Sequence, residues 1–504
     1  MSVAMHRAMK DSQVFDPALY NEDLAPVPIA KRTWGWLNFT TVWMGMVHNI
    51  VAYETAGSLL GLGMNVWQAL ATVVVANIVL IVAMWFNSVA GAKYGLPFPV
   101  LIRAAFGYRG AQIPVLVRAF VAIFWFAVQA YAGSQAVNVV LGVMIPGWNT
   151  LGQIHLLGLG LNSAIAVLLF WSLHAWIISH GIERVKHFEL WAGPLVILLG
   201  LGLVTWALST AHGFGPIFSE PSKLTGGAFW RLFALSVTGL VGVWSTLVLN
   251  IPDFTRFSRS QRDQMVGQAV GLPGTAILFA VMSIIITSGT VIAFGKPIWN
   301  PVQLLAQFGN PLILTLGAIA LLVATLSVNV AANVVSPAYD LVNLFPKKLN
   351  FISAGLISIV IALFFAPWLW FNSANTIFNV LGAIGGSLGP VAGIMVADFY
   401  IVRSRQYDVQ AFYLRRGPYG YRSGWNVRAL VALGLGLMAA FIGLFVPALQ
   451  VLYSYSWFLG VSIGFLSYSL LMRSQSSGAL TYLDADGTEA TDGGGGLTDL
   501  EAFD

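Results

Sequence analysis

The chain has 504 residues, of which 57% are hydrophobic and only 9% charged, and its mean hydropathy is +0.77. A soluble domain carries roughly a quarter charged residues, so this composition excludes a cytosolic enzyme, a disordered chain and a nucleic-acid binder. Cysteine is absent, which removes disulfides, thiolate metal sites and cysteine catalysis; the formal net charge of +5 means little until the charges are placed.

A membrane-crossing helix needs about 20 apolar residues. Runs of that length predict twelve spans, at about 36–60, 67–90, 112–144, 159–179, 188–209, 232–251, 270–294, 311–336, 350–367, 376–402, 427–448 and 452–472. The expected fold is an all-α polytopic membrane protein. A cytoplasmic segment over 1–33 precedes a twelve-helix domain over 34–473. The tail over 474–504 holds seven acidic residues, no Lys or Arg, and the run Gly493 to Gly496, and is expected to be disordered.

With twelve spans and a cytoplasmic N-terminus, only Lys223, Arg231 and Lys296 fall outside, leaving 22 of the 25 Lys and Arg inside. Such asymmetry orients helical membrane proteins. It predicts a multi-pass protein of the cytoplasmic (inner) membrane with both termini cytoplasmic, and its basic loops report topology, not nucleic acid.

Along the chain, Gly45, His48 and Asn49 cluster in the middle of span one. In span six, Gly239 and Gly242 precede Trp244, and Asn250, Pro252 and Asp253 follow. Paired interruptions at corresponding places in two five-span halves point to the midplane site of an inverted-repeat transporter; close helix packing through glycine is the alternative. Trp125 and Gln129 of span three share a helix face. A flat indole beside an amide suits a planar amide-bearing ring, although an aromatic core pair has the same pattern. Span eight offers Ser327 as a hydroxyl for a cation and Asn333 as an amide for a ligand, or both serve helix contacts only. In span ten, the spacing of Gly382 with Gly386 and Gly389 with Gly393 reads first as packing.

Ionisable groups within spans are functional candidates. His48 is able to carry a proton or to donate to a backbone carbonyl. Glu54 is expected to be wetted by an outer vestibule, and Asp253 to cap a helix or pair with a basic loop residue. Enzyme motifs are lacking. Five residues, not four, separate Gly289 and Gly295, Lys296 is followed by Pro, and no His-Glu-x-x-His zinc motif occurs. A catalytic function and a cofactor are therefore not expected.

Four strings carry a wider resemblance: Asn21-Glu-Asp-Leu-Ala-Pro, Lys93-Tyr-Gly-Leu-Pro-Phe-Pro-Val, Asn250-Ile-Pro-Asp-Phe-Thr-Arg-Phe and Ser327-Val-Asn-Val-Ala-Ala-Asn. From about 21 to 473 the chain resembles the nucleobase–cation symporter 1 family of purine, pyrimidine, allantoin and hydantoin permeases, most of all its bacterial allantoin permeases. The resemblance implies an inverted repeat of helices 1–5 (about 34–210) and 6–10 (about 231–402), with helices 1 and 6 broken and two added helices (about 427–472). It implies a ring sandwiched between Trp125 and Trp244, with Gln129, Asn333 and Asn49 on its amide groups. Leu381 would cover the ring, and His48 and Val243 complete the candidate set. A sodium site is implied at the carbonyls of Gly45 and His48 with Ala324 and Ser327. Its further hydroxyl position is Val328, which has no side-chain oxygen, so sodium and proton both stand as the coupling ion. The function implied is import of allantoin or a hydantoin, with a uracil or cytosine symporter as the alternative; a membrane-embedded enzyme or receptor lacks any supporting motif.

Overall fold

The computed structural model describes residues 16–47, 50–180, 197–370 and 374–473, together with 482–483 and 489–490. It is almost wholly helical. The principal helices are α1 (Trp36–Val47), α2 (Ile50–Gly61), α3 (Val66–Tyr94), α4 (Gln112–Met144), α5 (Leu161–Ser179) and α6 (Ile197–Thr210). After them come α7 (Gly226–Asn250), α8 (Gln261–Phe294), α9 (Pro311–Asn333), α10 (Val335–Leu344) and α11 (Phe351–Ala362), then α12 (Ala374–Ala397), α13 (Val427–Phe445) and α14 (Ser456–Met472).

Among the described residues, nine helices are long and apolar enough to cross a membrane, or ten if Pro447–Tyr453 and Ser456–Met472, which meet at 87°, form one span. Two of the expected spans have a different form. The first is two twelve-residue helices, α1 and α2. The fifth is represented by α6, and residues 181–196 before it lie outside the described residues, as does most of the tail.

Local chemistry sets the ends. α3 starts in a capping box, in which the Asn65 side chain accepts from the Gln68 amide and the Gln68 side chain accepts from the Asn65 amide, and it stops at Gly95 with φ +71°. Its 29 residues span about 43 Å at 1.5 Å each, more than a hydrocarbon core of about 30 Å. α8 begins at Gln261, nine residues before the apolar run expected from about 270. Ser260 caps it, and the polar turn stays helical because Gln264 and Gln268 bond each other while Gln261 donates to the Val89 carbonyl at 3.0 Å. Hydropathy marks the lipid core, whereas the helix continues into the aqueous layer.

α7 departs from the expected break. It runs unbroken through Gly239 and Gly242 and ends only at Asn250, before the short turn Pro252–Thr255. The two glycines serve close packing: a methyl on Gly242 would collide with the Leu381 carbonyl, and one on Gly239 would lie 2.6 Å from the Phe378 ring. Small-residue contact likewise joins α12 to α14, where Gly389 and Gly393 lie against the Trp457 and Val461 carbonyls. Without those glycines the backbones could not approach.

Two sets of loops and chain ends are held together by separate groups of hydrogen bonds. At one end the Trp34 amide donates to the Phe257 carbonyl at 3.0 Å, Asn21 to Pro346 at 3.0 Å, and Arg103 to the carbonyls of Leu19 and Phe412. Arg32 donates there to the carbonyls of Val27, Ala92 and Lys93. Burial pulls the Arg32 and Arg103 guanidiniums down to about 10, so both keep their charge at neutral pH. At the other end the Lys223 amide donates to Gly63, and the Trp368 indole to Leu157. Near that end Glu54 is buried, not wetted as expected, and its Oε1 accepts from Asn300 Nδ2 at 2.5 Å.

Just inside the basic end lies a buried ion cluster. Arg118 of α4 pairs with Asp340 of α10, and its guanidinium lies 4.0 Å from Asp253 in the turn after α7. Asp253 also accepts from the Phe98 amide at 2.8 Å and the Ser336 hydroxyl at 3.2 Å. Of the two roles expected of Asp253 the ion pair is present, although its cation comes from a helix and not from a loop, and its other bonds are to the Phe98 amide and the Ser336 hydroxyl.

Removing the cation should leave two acids buried without compensation. We expect Arg118→Met to lose about 3–5 kcal/mol of stability, read as a lower thermal midpoint of purified protein in detergent, with Asp340→Asn recovering part of it. Gly242→Val should overpack the α7–α12 contact by about 1–3 kcal/mol. Gly274→Ala, in a helix with open space around it, should leave the midpoint unchanged or raise it.

Candidate functional site

α4 is a 33-residue apolar helix whose early proline, Pro114, sits in the first turn, where its missing N–H costs nothing. It carries Trp125 and Gln129 deep inside the protein, both buried. Neither is satisfied there. The Trp125 indole N–H and the Gln129 side-chain oxygen are buried atoms without a hydrogen-bond partner. A buried unpaired polar group costs about 1–3 kcal/mol, so two of them one turn apart mark a place built for something polar to bind.

Trp244 and Val243 sit on α7, half-buried, and both line a small pocket with Val47, Asn77 and Phe279. Trp244 meets Trp43 edge-on at 5.8 Å, and Trp125 meets Phe124 edge-on at 6.0 Å. Trp125 and Trp244 make no ring contact with each other, and Trp125 and Gln129 are not among the residues lining that cavity. The structure thus brings the two indoles into one core without stacking them. Leu381 is fully buried on α12, with its carbonyl against Gly242.

α9 begins at a capping Asn310, whose side chain accepts two backbone amides, with Pro311 in the first turn. It ends at Asn333, where Val334 turns the chain into α10 ahead of Pro337. Ala324, Ser327 and Val328 are buried along it, and Ser327 Oγ has no partner. An orphaned hydroxyl fits the cation role, while Val328 places a hydrocarbon beside it. Gly45 is half-buried, and a methyl there would meet nothing within 4 Å, so packing alone does not require glycine. Asn333 Nδ2 donates to Asn329 Oδ1 at 2.9 Å, and Asn329 Nδ2 reaches Phe126 O and His174 Nε2, each at 3.1 Å. His48 and Asn49 lie outside the described residues, so the carbonyl half of the cation site and one amide of the substrate site are not placed. Among the described residues no group of three or more His, Asp or Glu is arranged to hold a metal ion.

Sequence reasoning misses Arg118 as the partner of Asp253 and Asp340, and His174 as the partner of Asn329. Arg118 counts there only as an inside charge, yet it stands six residues within an apolar run, which by itself marks an ionisable group inside a span. His174, in the fourth span, offers the same signal. The pairing of Asn329 with it has none, because the two are 155 residues apart in sequence.

Comparison with known proteins agrees with this architecture. Residues 26–460 match the family described as permeases for cytosine/purines, uracil, thiamine and allantoin. The chain is 49% identical over 468 residues to an allantoin permease of Bacillus subtilis (strain 168), covering 92% of this chain and 95% of that one. It is 38% identical over 431 residues to a purine-uracil permease of Arabidopsis thaliana, covering 85% and 72%. Its fold is similar to that of Mhp1, a nucleobase-cation-symport-1 family transporter solved closed with bromovinylhydantoin bound. The TM-score is 0.77 at 24% identity, over 91% of this chain and 96% of that one. The chain belongs to this family of cytosine/purine, uracil, thiamine and allantoin permeases, the nucleobase–cation symporters 1.

Proposed function

We propose that this permease imports allantoin or a related hydantoin ring across the cytoplasmic membrane by cation-coupled alternating access. The observation that carries the reading is that, among the buried polar atoms without partners on α4 and α9 (Arg118 Nε and Thr325 Oγ1 included), Trp125 Nε1, Gln129 Oε1 and Ser327 Oγ belong to the candidate substrate and cation residues. Each such atom costs about 1–3 kcal/mol while unpaired, a cost that a ligand, ion or water bound there removes. The 49% identity to a Bacillus allantoin permease supports the choice of ring.

In this reading the two indoles, which do not touch, hold the ring between them. Gln129, Asn333 and Asn49 bond its ureide and amide edges, Val243 and His48 line the space, and Leu381 covers it. Twelve spans, an inverted repeat over about 34–210 and 231–402, two added helices over about 427–472 and cytoplasmic termini complete the proposal. Gly45, His48, Ala324 and Ser327 would hold a sodium ion, whose charge would bias the helices that bear those groups. Val328 removes one oxygen from that set, so sodium would bind weakly there and a proton is the competing coupling ion. Substrate drives closure only to the extent that it bonds the closed state better than the open one.

A uracil or cytosine permease is the second reading, favoured by the 38% identity to a purine-uracil permease. Stacking accepts any flat ring, so hydrogen bonding has to discriminate.

Uptake of labelled allantoin by cells expressing the chain should be blocked by excess allantoin and hydantoin but not by uracil or cytosine; carriage of uracil or cytosine without allantoin would move the function to nucleobases. Trp125→Ala should raise the KM about 5- to 150-fold, the loss expected for one aromatic stacking contact of about 1–3 kcal/mol. Normal uptake by that variant would refute the sandwich. Val328→Thr should steepen the dependence of uptake on external sodium, and Ser327→Ala should flatten it, both read from initial rates at varied sodium.

A further inference from the structure

Three hydrogen bonds run from α5 through α9 toward the proposed substrate site. His174 Nδ1 lies 2.7 Å from the Phe170 carbonyl, one turn back on its own helix. A carbonyl oxygen only accepts, so Nδ1 carries the hydrogen and Nε2 keeps its lone pair. That nitrogen faces Asn329 Nδ2 at 3.1 Å. The same Nδ2 donates to the Phe126 carbonyl of α4, also at 3.1 Å, which independently fixes which end of the Asn329 amide is nitrogen. Asn329 Oδ1 must then point the other way, and it accepts from Asn333 Nδ2 at 2.9 Å. His174 and Asn329 are fully buried and Asn333 nearly so, so water does not offer the chain an alternative.

We propose that His174 and Asn329 are positioning residues that lock the Asn333 amide with its nitrogen inward, so that its carbonyl oxygen is what the ring meets. The inference rests on the reading that Asn333 faces the substrate. Two fixed carbonyls, Phe170 and Phe126, impose one polarity on the whole chain. Reversing Asn333 would set oxygen against oxygen at Asn329, and reversing Asn329 would set oxygen against the Phe126 carbonyl and the His174 lone pair. An asparagine on its own turns either end to a ligand at little cost; this one is committed to accept.

The consequence is a rule for the cargo. The ring edge at Asn333 has to bring an N–H. Hydantoins, ureides and uracil have ring N–H groups flanked by carbonyls and satisfy it. A ring methylated at that nitrogen sets a methyl against the Asn333 oxygen and leaves it unpaired, and one that presents a bare lone pair there, as cytosine does at its unprotonated ring nitrogen, leaves two acceptors facing each other in a buried site. Such a mismatch is far more discriminating than an extra or missing methylene.

The test is competition against labelled allantoin uptake by hydantoin, 1-methylhydantoin and 3-methylhydantoin, in the full chain and in variants. The unsubstituted chain should prefer hydantoin to at least one methyl derivative by about tenfold or more, the loss expected from one buried unmade bond. Asn333→Ala should abolish that preference. Asn329→Leu should reduce it to about threefold or less. His174→Phe keeps a ring against Phe126 and Phe170 but removes the acceptor, and it should reduce the preference part of the way. His174→Gln, whose amide oxygen accepts, should preserve it. A purely structural role would lower maximal uptake in these variants and leave the ratio unchanged, so a wild-type ratio in both Asn329→Leu and His174→Phe, with Asn333→Ala having lost it, overturns the relay alone. A wild-type ratio and unchanged inhibition in Asn333→Ala would instead show that Asn333 does not face the ring, and both the substrate site and the relay would fall. An unsubstituted chain that does not discriminate also refutes the rule. If Asn329→Leu does not reach the membrane, the two His174 variants decide: equal ratios overturn the relay.

Discussion

Polar groups in a bilayer interior must find partners within the protein, because water is not there to supply them. Almost everything informative about this chain follows from that constraint. Its helices satisfy their own backbones, and most buried side chains are satisfied too: Thr40 by the Trp36 carbonyl, Ser58 by Thr55, Ser245 by Val241. Among the buried atoms left unpaired, which also include Tyr53, Asn77, Ser236, Thr287 and Thr325, those of Trp125, Gln129 and Ser327 belong to residues that the sequence itself marks. The paired groups are as telling, since they show which orientation each amide and imidazole is allowed to keep.

The fold is legible in the sequence wherever a single physical cause produces the pattern. Hydropathy locates α3, α4, α5 and α13 to within a few residues, because twenty apolar residues have few other uses. The basic residues divide the loops into two sets, and among the described residues Arg32, Arg103 and Arg256 of the larger set bind backbone carbonyls of segments in that set. Legibility fails where two causes leave the same pattern. Glycines in α7 read as a break, yet they are the surface on which α12 rests; spacing alone cannot separate a helix that unwinds from one that is closely approached. The amphipathic first turns of α8 are invisible to an apolar window for a related reason, as their stability comes from a Ser260 cap and a ladder of glutamines.

The candidate site is legible residue by residue but not as a network. Trp125 and Gln129 are one turn apart, so periodicity groups them, and Ser327 and Asn333 lie close together along one helix. Arg118 with Asp340 and His174 with Asn329 join different helices over 222 and 155 residues, and only the fold reveals them. Glu54 illustrates the same limit. A carboxyl near the end of a span is equally consistent with water or with burial, and its contact with Asn300, 246 residues away, decides the matter.

The two ends of the bundle are held by different chemistry, and that difference bears on alternating access. The basic end is tied by Arg32, Arg103 and Arg256 to backbone carbonyls and by Arg118 to two carboxylates. The opposite end relies on apolar contact, such as the Trp299 side chain against Gly57 and Gly61, and on amide contacts such as Asn300 with Glu54. Charge-assisted bonds are strong in isolation, yet water replaces much of their value once an end opens, so the net cost of parting them is far below their gross strength. Arg118 is the exception, because it lies within the helical bundle and its two acids come from separate elements, the turn after α7 and α10. A movement that carried the end of α7 away while α4 and α10 stayed together would release Asp253 and keep Asp340. The cation would remain compensated on one side throughout, and one buried pair would serve as the fixed partner around which the other opens and closes.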